Sequence, residues 1–262
     1  MLATIRPQAQ LILGANLKDP EVASRLLAIL ENAQDIAPTH WGAARGLRDP
    51  YDRAAVLAAL AGAGDEGIVP NIMRSRPPAA YNIQWFGNDT TESVHSLQIA
   101  CKHYSQPEEL LPFFKLVDSI AAAFPLDWGH LDIVFDGAPP ALRMQHDGSY
   151  VHLGYYLRFG LTCLFARNYL GPRLLALSDQ LSTLLKGTSA ATESLDNGVI
   201  RLDLLPEPWA KTPDALKAAQ LDITAALQPT GIFARPKVNR SLDMAGPRWL
   251  TPTDEELQAP KG

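Results

Sequence analysis

The chain has 262 residues, with 23 Lys and Arg against 28 Asp and Glu, a formal net charge of −5. At 47% hydrophobic and 19% charged residues it is composed like a soluble globular protein, which excludes disordered, collagen-like and coiled-coil chains. The mildly acidic balance argues against direct nucleic-acid binding, which calls for a basic face to neutralise phosphates, and suits a basic partner instead.

A chain of this length buries a large core without disulfides or metal. The opening stretch QAQLILGANL is too short and polar for a signal segment, and no window approaches the roughly 18 apolar residues of a membrane span. A cytoplasmic protein is expected. Cys101 and Cys163 lie in apolar runs without a C-x-x-C pair, as small core residues of a reducing compartment would.

The first strand candidate is Leu11–Leu13. Asp19-Pro20 then marks a helix start, with an acceptor at the cap and a proline where no N–H is needed. Val22, Leu26, Ile29 and Leu30 give that helix an apolar stripe. It runs toward Pro38 and Trp41-Gly42, and Asp49-Pro50 predicts the next helix start. Gly62, Gly64 and Gly67 match G-x-G-x-x-G, but they follow a helical run rather than a strand, so they read as a helix end, not a nucleotide loop.

Tyr81–Phe86 and Val94–Tyr104 are strand candidates, the second with Leu97, Ile99 and Cys101 alternating against polar neighbours. Ser105 with Glu108 predicts a capping box ahead of a helix striped by Leu110, Phe114, Val117, Ile120 and Phe124. A second helix-Pro-Trp-Gly segment follows at Pro125, Trp128 and Gly129, echoing the first and admitting a duplicated unit. In each, tryptophan is expected to pack on the core while glycine permits a turn.

Further strand candidates are Leu131–Phe135, Val151–Arg158, Leu161–Phe165 and Val199–Leu205. Gly171-Pro172 opens a helix carrying Leu174, Leu177, Leu181 and Leu184, and Thr212-Pro213 opens the last one. The order predicts an α+β fold with a mixed, mainly antiparallel sheet packed against amphipathic helices. Strand 94–104, helix 107–124 and strand 131–135 would suit one parallel βαβ unit. Residues 1–240 are expected to form one domain, with 1–90 and 91–240 as candidate lobes and 241–262 as a loosely attached tail.

No nucleophile-elbow, phosphate-loop, zinc or kinase motif is present, so no catalytic, metal or cofactor residue is assigned. The enzymatic alternative is a small hydrolase or metal-dependent enzyme using His146 and Asp147, although HDGSY is also ordinary turn chemistry. Acidic residues offer more. Asp127, Asp132 and Asp136 flank one strand, and Asp203 and Glu207 bracket the end of another. Alternation places Asp132 exposed or at a sheet edge. With Trp209 as an aromatic anchor, these six are the candidate partner-binding residues.

The order of features resembles the immunity protein 52 family of bacterial polymorphic toxin systems. The likeness rests on Trp41-Gly42 with Arg45, the helix PEELLPFFKLVDSIAAAFP, Asp127-Trp128-Gly129-His130, NYLGPRL, and NGVIRLDLLPEPW with the helix after it, roughly residues 8–235. It implies an α+β protein made beside a toxin of restriction-endonuclease-like fold. The expected activity is binding and neutralising that type VI-secreted DNase, with no enzymatic function and no cofactor. A nuclease is basic around its cleft, so an acidic inhibitor is steered toward it. An effector-loading adaptor of a secretion system is the other alternative.

Overall fold

The computed structural model describes residues 5–33, 35–42, 48–63, 67–86, 94–101, 104–136, 161, 163–176 and 178–233. Its elements run β1 (Ile5–Leu13), α1 (Pro20–Glu31), β2 (His40–Gly42), β3 (Asp49–Pro50), α2 (Arg53–Ala61), β4 (Gly67–Ser75), β5 (Pro78–Phe86) and β6 (Val94–Cys101). They continue with α3 (Leu111–Ala123), β7 (Leu126–Phe135), β8 (Arg167–Leu170), α4 (Pro172–Leu175), α5 (Leu181–Lys186), β9 (Ala191–Ser194), β10 (Ile200–Asp203) and α6 (Pro213–Leu227).

All the strands join one sheet of order β3-β2-β4-β5-β6-β1-β7-β8-β10-β9, every neighbouring pair antiparallel. The α+β expectation is met. β6 and β7 do run parallel, but they are not neighbours: β1 lies between them and pairs antiparallel with both. The crossover through α3 is therefore a split βαβ unit. Residues before and after position 90 both supply strands to this sheet.

Capping chemistry explains the helix starts. Asp19 Oδ1 accepts from Glu21 N at 2.8 Å, and Thr212 Oγ1 accepts from Ala215 N at 3.3 Å, each before a proline. The expectation at Asp49-Pro50 fails. Those residues form β3 against His40 and Trp41, and Asp52 caps α2 instead, accepting from Ala55 N at 3.1 Å. The box before α3 is likewise shifted by one residue: Glu109 Oε2 accepts from Ser105 N at 2.8 Å and Gln106 N at 3.0 Å.

Leu174 and Leu184 lie on two short helices, α4 and α5, rather than one long helix. Gly62 ends α2, donating to Ala58 O at 2.9 Å, while Gly67 begins β4. Trp41-Gly42 and Trp128-Gly129 sit inside strands, not turns. Gly129 leaves room for Leu11, whose Cδ2 would lie 2.5 Å from an added Cβ. Val151–Arg158 and the tail 241–262 fall outside the described residues.

One face of the sheet carries Ala9, Leu11, Leu97, Ile99, Leu131 and Tyr169, all buried beneath α1 and α3. The opposite face carries Trp128, His130 and Asp132 of β7, and it too is covered. Phe165 stacks on His130 with centroids 3.7 Å apart, and Gln220 of α6 donates to Leu164 O behind it. β7 is consequently buried on both sides along most of its length.

Candidate functional site

A cavity of about 600 Å³ opens at one end of the sheet, where β1 ends and β6 and β7 begin. Its floor is Leu13 and His95, both buried; Lys18, Ala15 and Asp127 form the walls, and Gly14, Asn16 and Arg173 the exposed rim. Four separate segments supply these side chains. Strand order, not sequence proximity, brings them together.

Backbone contacts fix the walls. Gly14 N donates to Pro125 O at 2.9 Å and Gly171 N to Asp127 O at 3.2 Å, so the segments before and after the start of β7 are both tied to it. Gly171 is obligatory there: an added Cβ would lie 1.8 Å from Leu126 O. That close approach sets Arg173, two residues on, at the cavity rim. Asn16 Oδ1 accepts from Lys18 N at 3.0 Å, and Asn16 O accepts from Asp19 N at 3.1 Å, closing the loop into α1.

Lys18 Nζ lies 5.4 Å from the Trp85 ring centroid, a cation–π contact that aims the ammonium. Leu17 N donates to His95 Nδ1 at 3.3 Å, which assigns the ring proton to Nε2. Burial lowers the His95 pKa, and the Lys18 charge lowers it further, so the ring is neutral at pH 7. The cavity is therefore lined by two cations, a neutral imidazole and one carboxylate.

Asp127 lines this cavity, the one sequence-selected residue that does. The other five are dispersed. Asp132, expected exposed or at an edge, is 4% exposed in the middle of β7, because the second sheet face is covered. It accepts from Ile133 N at 2.8 Å and from Gln8 Nε2 at 3.4 Å, and burial raises its pKa to about 6. Asp203 is also buried, held by Arg167. Neither presents a carboxylate to a partner. Asp136 pairs with Arg6 at 2.7 Å, both about half exposed. Glu207 is exposed, and Trp209 packs edge-on against Phe114 at 5.1 Å between centroids.

His146 and Asp147 lie outside the described residues. Among the described residues, no group of three or more His, Cys, Asp or Glu is arranged to hold a metal ion, and no helix is long and apolar enough to cross a membrane. Cys101 and Cys163 are both buried and neither is in a disulfide. Lys18, His95 and Arg173 were not singled out from the sequence. The available signal was the pair of strand-ending glycines in LILGAN and YLGPR, which marks chain segments turning at the same sheet end.

These features define an α+β protein built on one antiparallel sheet with a polar cavity at its end. The solved structure described as Pseudomonas aeruginosa T6SS protein PA0821 is similar, with a TM-score of 0.57 and 14% identity over 88% of this chain and 77% of that one. The likeness establishes a shared fold. No family model matches the chain, and no curated protein matches it.

Proposed function

We propose that the protein is an immunity protein of a type VI secretion system, binding and neutralising a cognate nuclease toxin of restriction-endonuclease-like fold in the cell that produces both. The observation that carries this reading is the fold shared, over 88% of the chain, with a protein described as belonging to that secretion system. The sequence resemblance to the immunity protein 52 family supports it independently. An inhibitor of this kind needs a stable scaffold and a complementary surface, and asks for no cofactor.

A net charge of −5 favours rapid encounter with a basic nuclease, since opposite potentials steer association. With Asp132 and Asp203 buried, the solvent-accessible candidates for contact are Asp127, Asp136, Glu207 and the partly exposed Trp209. Co-expression with the product of the adjacent gene tests the proposal. That product should be toxic alone, harmless with this chain, and co-elute with it on gel filtration. A harmless neighbour, or no complex, refutes the reading. Capture of a secretion component without the toxin would favour the adaptor alternative. Steering predicts an association rate that falls with added salt.

A further inference from the structure

We propose that the outer edge of β9 docks an extended segment of the partner protein, which adds to the sheet as a further strand antiparallel to β9 and sets a lysine or arginine opposite Glu193. That partner is the cognate toxin, so the site rests on the function proposed above and says where on this chain the toxin is held.

Register decides which backbone groups are open. Leu195 N donates to Val199 O at 2.8 Å, so in the antiparallel ladder the pairs Glu193–Arg201 and Ala191–Asp203 are the hydrogen-bonded ones. The N–H and C=O of Thr192 and Ser194 therefore point away from β10. β10 shows the same parity on its other side: Leu204 N donates to Ala166 O at 3.1 Å, which assigns its even-numbered residues to β8 and its odd-numbered ones to β9. Ala190 N, the next outward position, is taken by Thr188 Oγ1 at 3.3 Å.

The two ends of the sheet differ. β3 closes one end with only two residues, and its Pro50 carries no N–H, so that edge is blunted. β9 ends the other, with Thr192, Glu193 and Ser194 all exposed and no strand beyond them among the described residues. A row of alternating donors and acceptors is matched by another extended backbone, which is how a strand added to a sheet edge is recognised.

Charge selects the occupant. A second copy using both outward residues would set Thr192 against Ser194 and Glu193 directly against its own counterpart, and like charges facing each other across strands are destabilising. Glu193 is held by Arg201 at 2.5 Å yet stays 55% exposed. The position opposite it is a non-hydrogen-bonded one, where side chains come closest. A basic residue there complements Glu193, as a nuclease rich in lysine and arginine can supply.

The test titrates the full chain with the purified product of the adjacent gene. Thr192→Pro and Ser194→Pro each remove one outward N–H and keep the β9–β10 ladder, since proline is tolerated where an edge strand's N–H faces solvent. Each should weaken binding at least about tenfold, through the lost hydrogen bond and the obstruction by the ring. Thr192→Ala and Ser194→Ala keep the backbone groups and should bind as the parent does, while Glu193→Lys should bind more weakly. Hydrogen exchange needs no variant: the Thr192 and Ser194 amides should exchange at least about tenfold more slowly in the complex than in the isolated chain. A product that binds parent and proline variants alike, or leaves both amides unprotected, overturns the edge site while the toxin reading stands. A product that does not bind the parent refutes both. A concentration-dependent dimer of this chain that the proline variants break gives the edge to a second copy and overturns the proposal.

Discussion

Arg167 and Asp203 are register partners on β8 and β10, and their side chains meet in a two-point clasp: Nε to Oδ1 at 2.5 Å and Nη2 to Oδ2 at 2.8 Å. The same guanidinium reaches Asp118 of α3 through Nη1 at 2.7 Å and lies over the Phe114 ring at 4.9 Å. One side chain thus ties the sheet to the helix above it. Arg167→Met strands the buried Asp203 carboxylate and should cost about 3–5 kcal/mol, whereas adding Asp203→Leu should recover much of that loss. Urea unfolding of the single and double variants decides it. A double variant less stable than Arg167→Met would show that the pair is not the source of the penalty.

Asp132 makes stability depend on pH in a defined direction. Burial raises its pKa from 3.8 to about 6, so the folded state holds the proton more tightly than the unfolded chain. Stability contributed by the protonated form is present below about pH 4 and lost as the pH climbs to about 6, about 3 kcal/mol in all. Asp132→Asn removes this slope. Relative to the parent protein, the variant should gain stability between pH 4 and pH 7 in denaturant titrations. Parallel pH profiles for the two proteins would contradict this.

His130, two residues away on the same strand face, acts with opposite sign. Burial lowers its pKa from 6.5 to about 3, so the unfolded chain takes up the proton first. Stability is lost as the pH falls below about 6.5, at about 1.4 kcal/mol per unit. His130 Nδ1 is buried without a hydrogen-bond partner among the described residues, and its ring stacks on Phe165. His130→Phe keeps a ring in the stack and removes the titration. At pH 5 the variant should outlast the parent by about 2 kcal/mol more than it does near pH 7. An unchanged acid limb would remove His130 from the explanation.

These central-strand residues show where sequence patterning stops. Helix starts at Asp19 and Thr212 are legible because a cap is a contact across two or three residues. β4 is not legible, because Pro70 falls at the register shift between Ile68 and Asn71 and breaks the alternation that marks a strand. Asp132 was misplaced for a related reason. Alternation reports which residues share a face, not whether segment 163–166 and α6 then cover that face. The cavity is harder still, since Lys18, His95, Asp127 and Arg173 meet only once β1 has inserted between β6 and β7.

The latch beside the cavity is steric and can be separated from ordinary crowding. An added Cβ at Gly171 would sit 1.8 Å from Leu126 O and 2.7 Å from Asp127 O, both fixed backbone atoms. At Gly129 the nearest obstacle is the Leu11 side-chain tip, which can swing aside. Gly171→Ala should therefore cost about 3 kcal/mol or more, and Gly129→Ala clearly less. Comparison of their urea midpoints tests the order. Equal losses would mean that β7 shifts as a unit rather than holding Gly171 against a rigid edge.

Glu207 offers a means of separating stability from partner binding. Its backbone is left-handed, at φ 52° and ψ 61°, between Pro206 and Pro208, while its side chain is exposed. A residue with a Cβ pays roughly 1–2 kcal/mol in that conformation, and one preceding proline is pressed toward extended angles instead. Glu207→Gly relieves the strain and should stabilise the chain by about 1 kcal/mol, part of the gain being offset by glycine's greater freedom when unfolded. Under the proposed function the same substitution removes an accessible carboxylate next to Trp209, so affinity for a basic toxin should fall while the melting temperature rises. Glu207→Gln, which keeps the strain and removes the charge, should lower affinity without the stability gain. A fall in melting temperature for Glu207→Gly would show that the left-handed turn is held by side-chain contacts rather than strained.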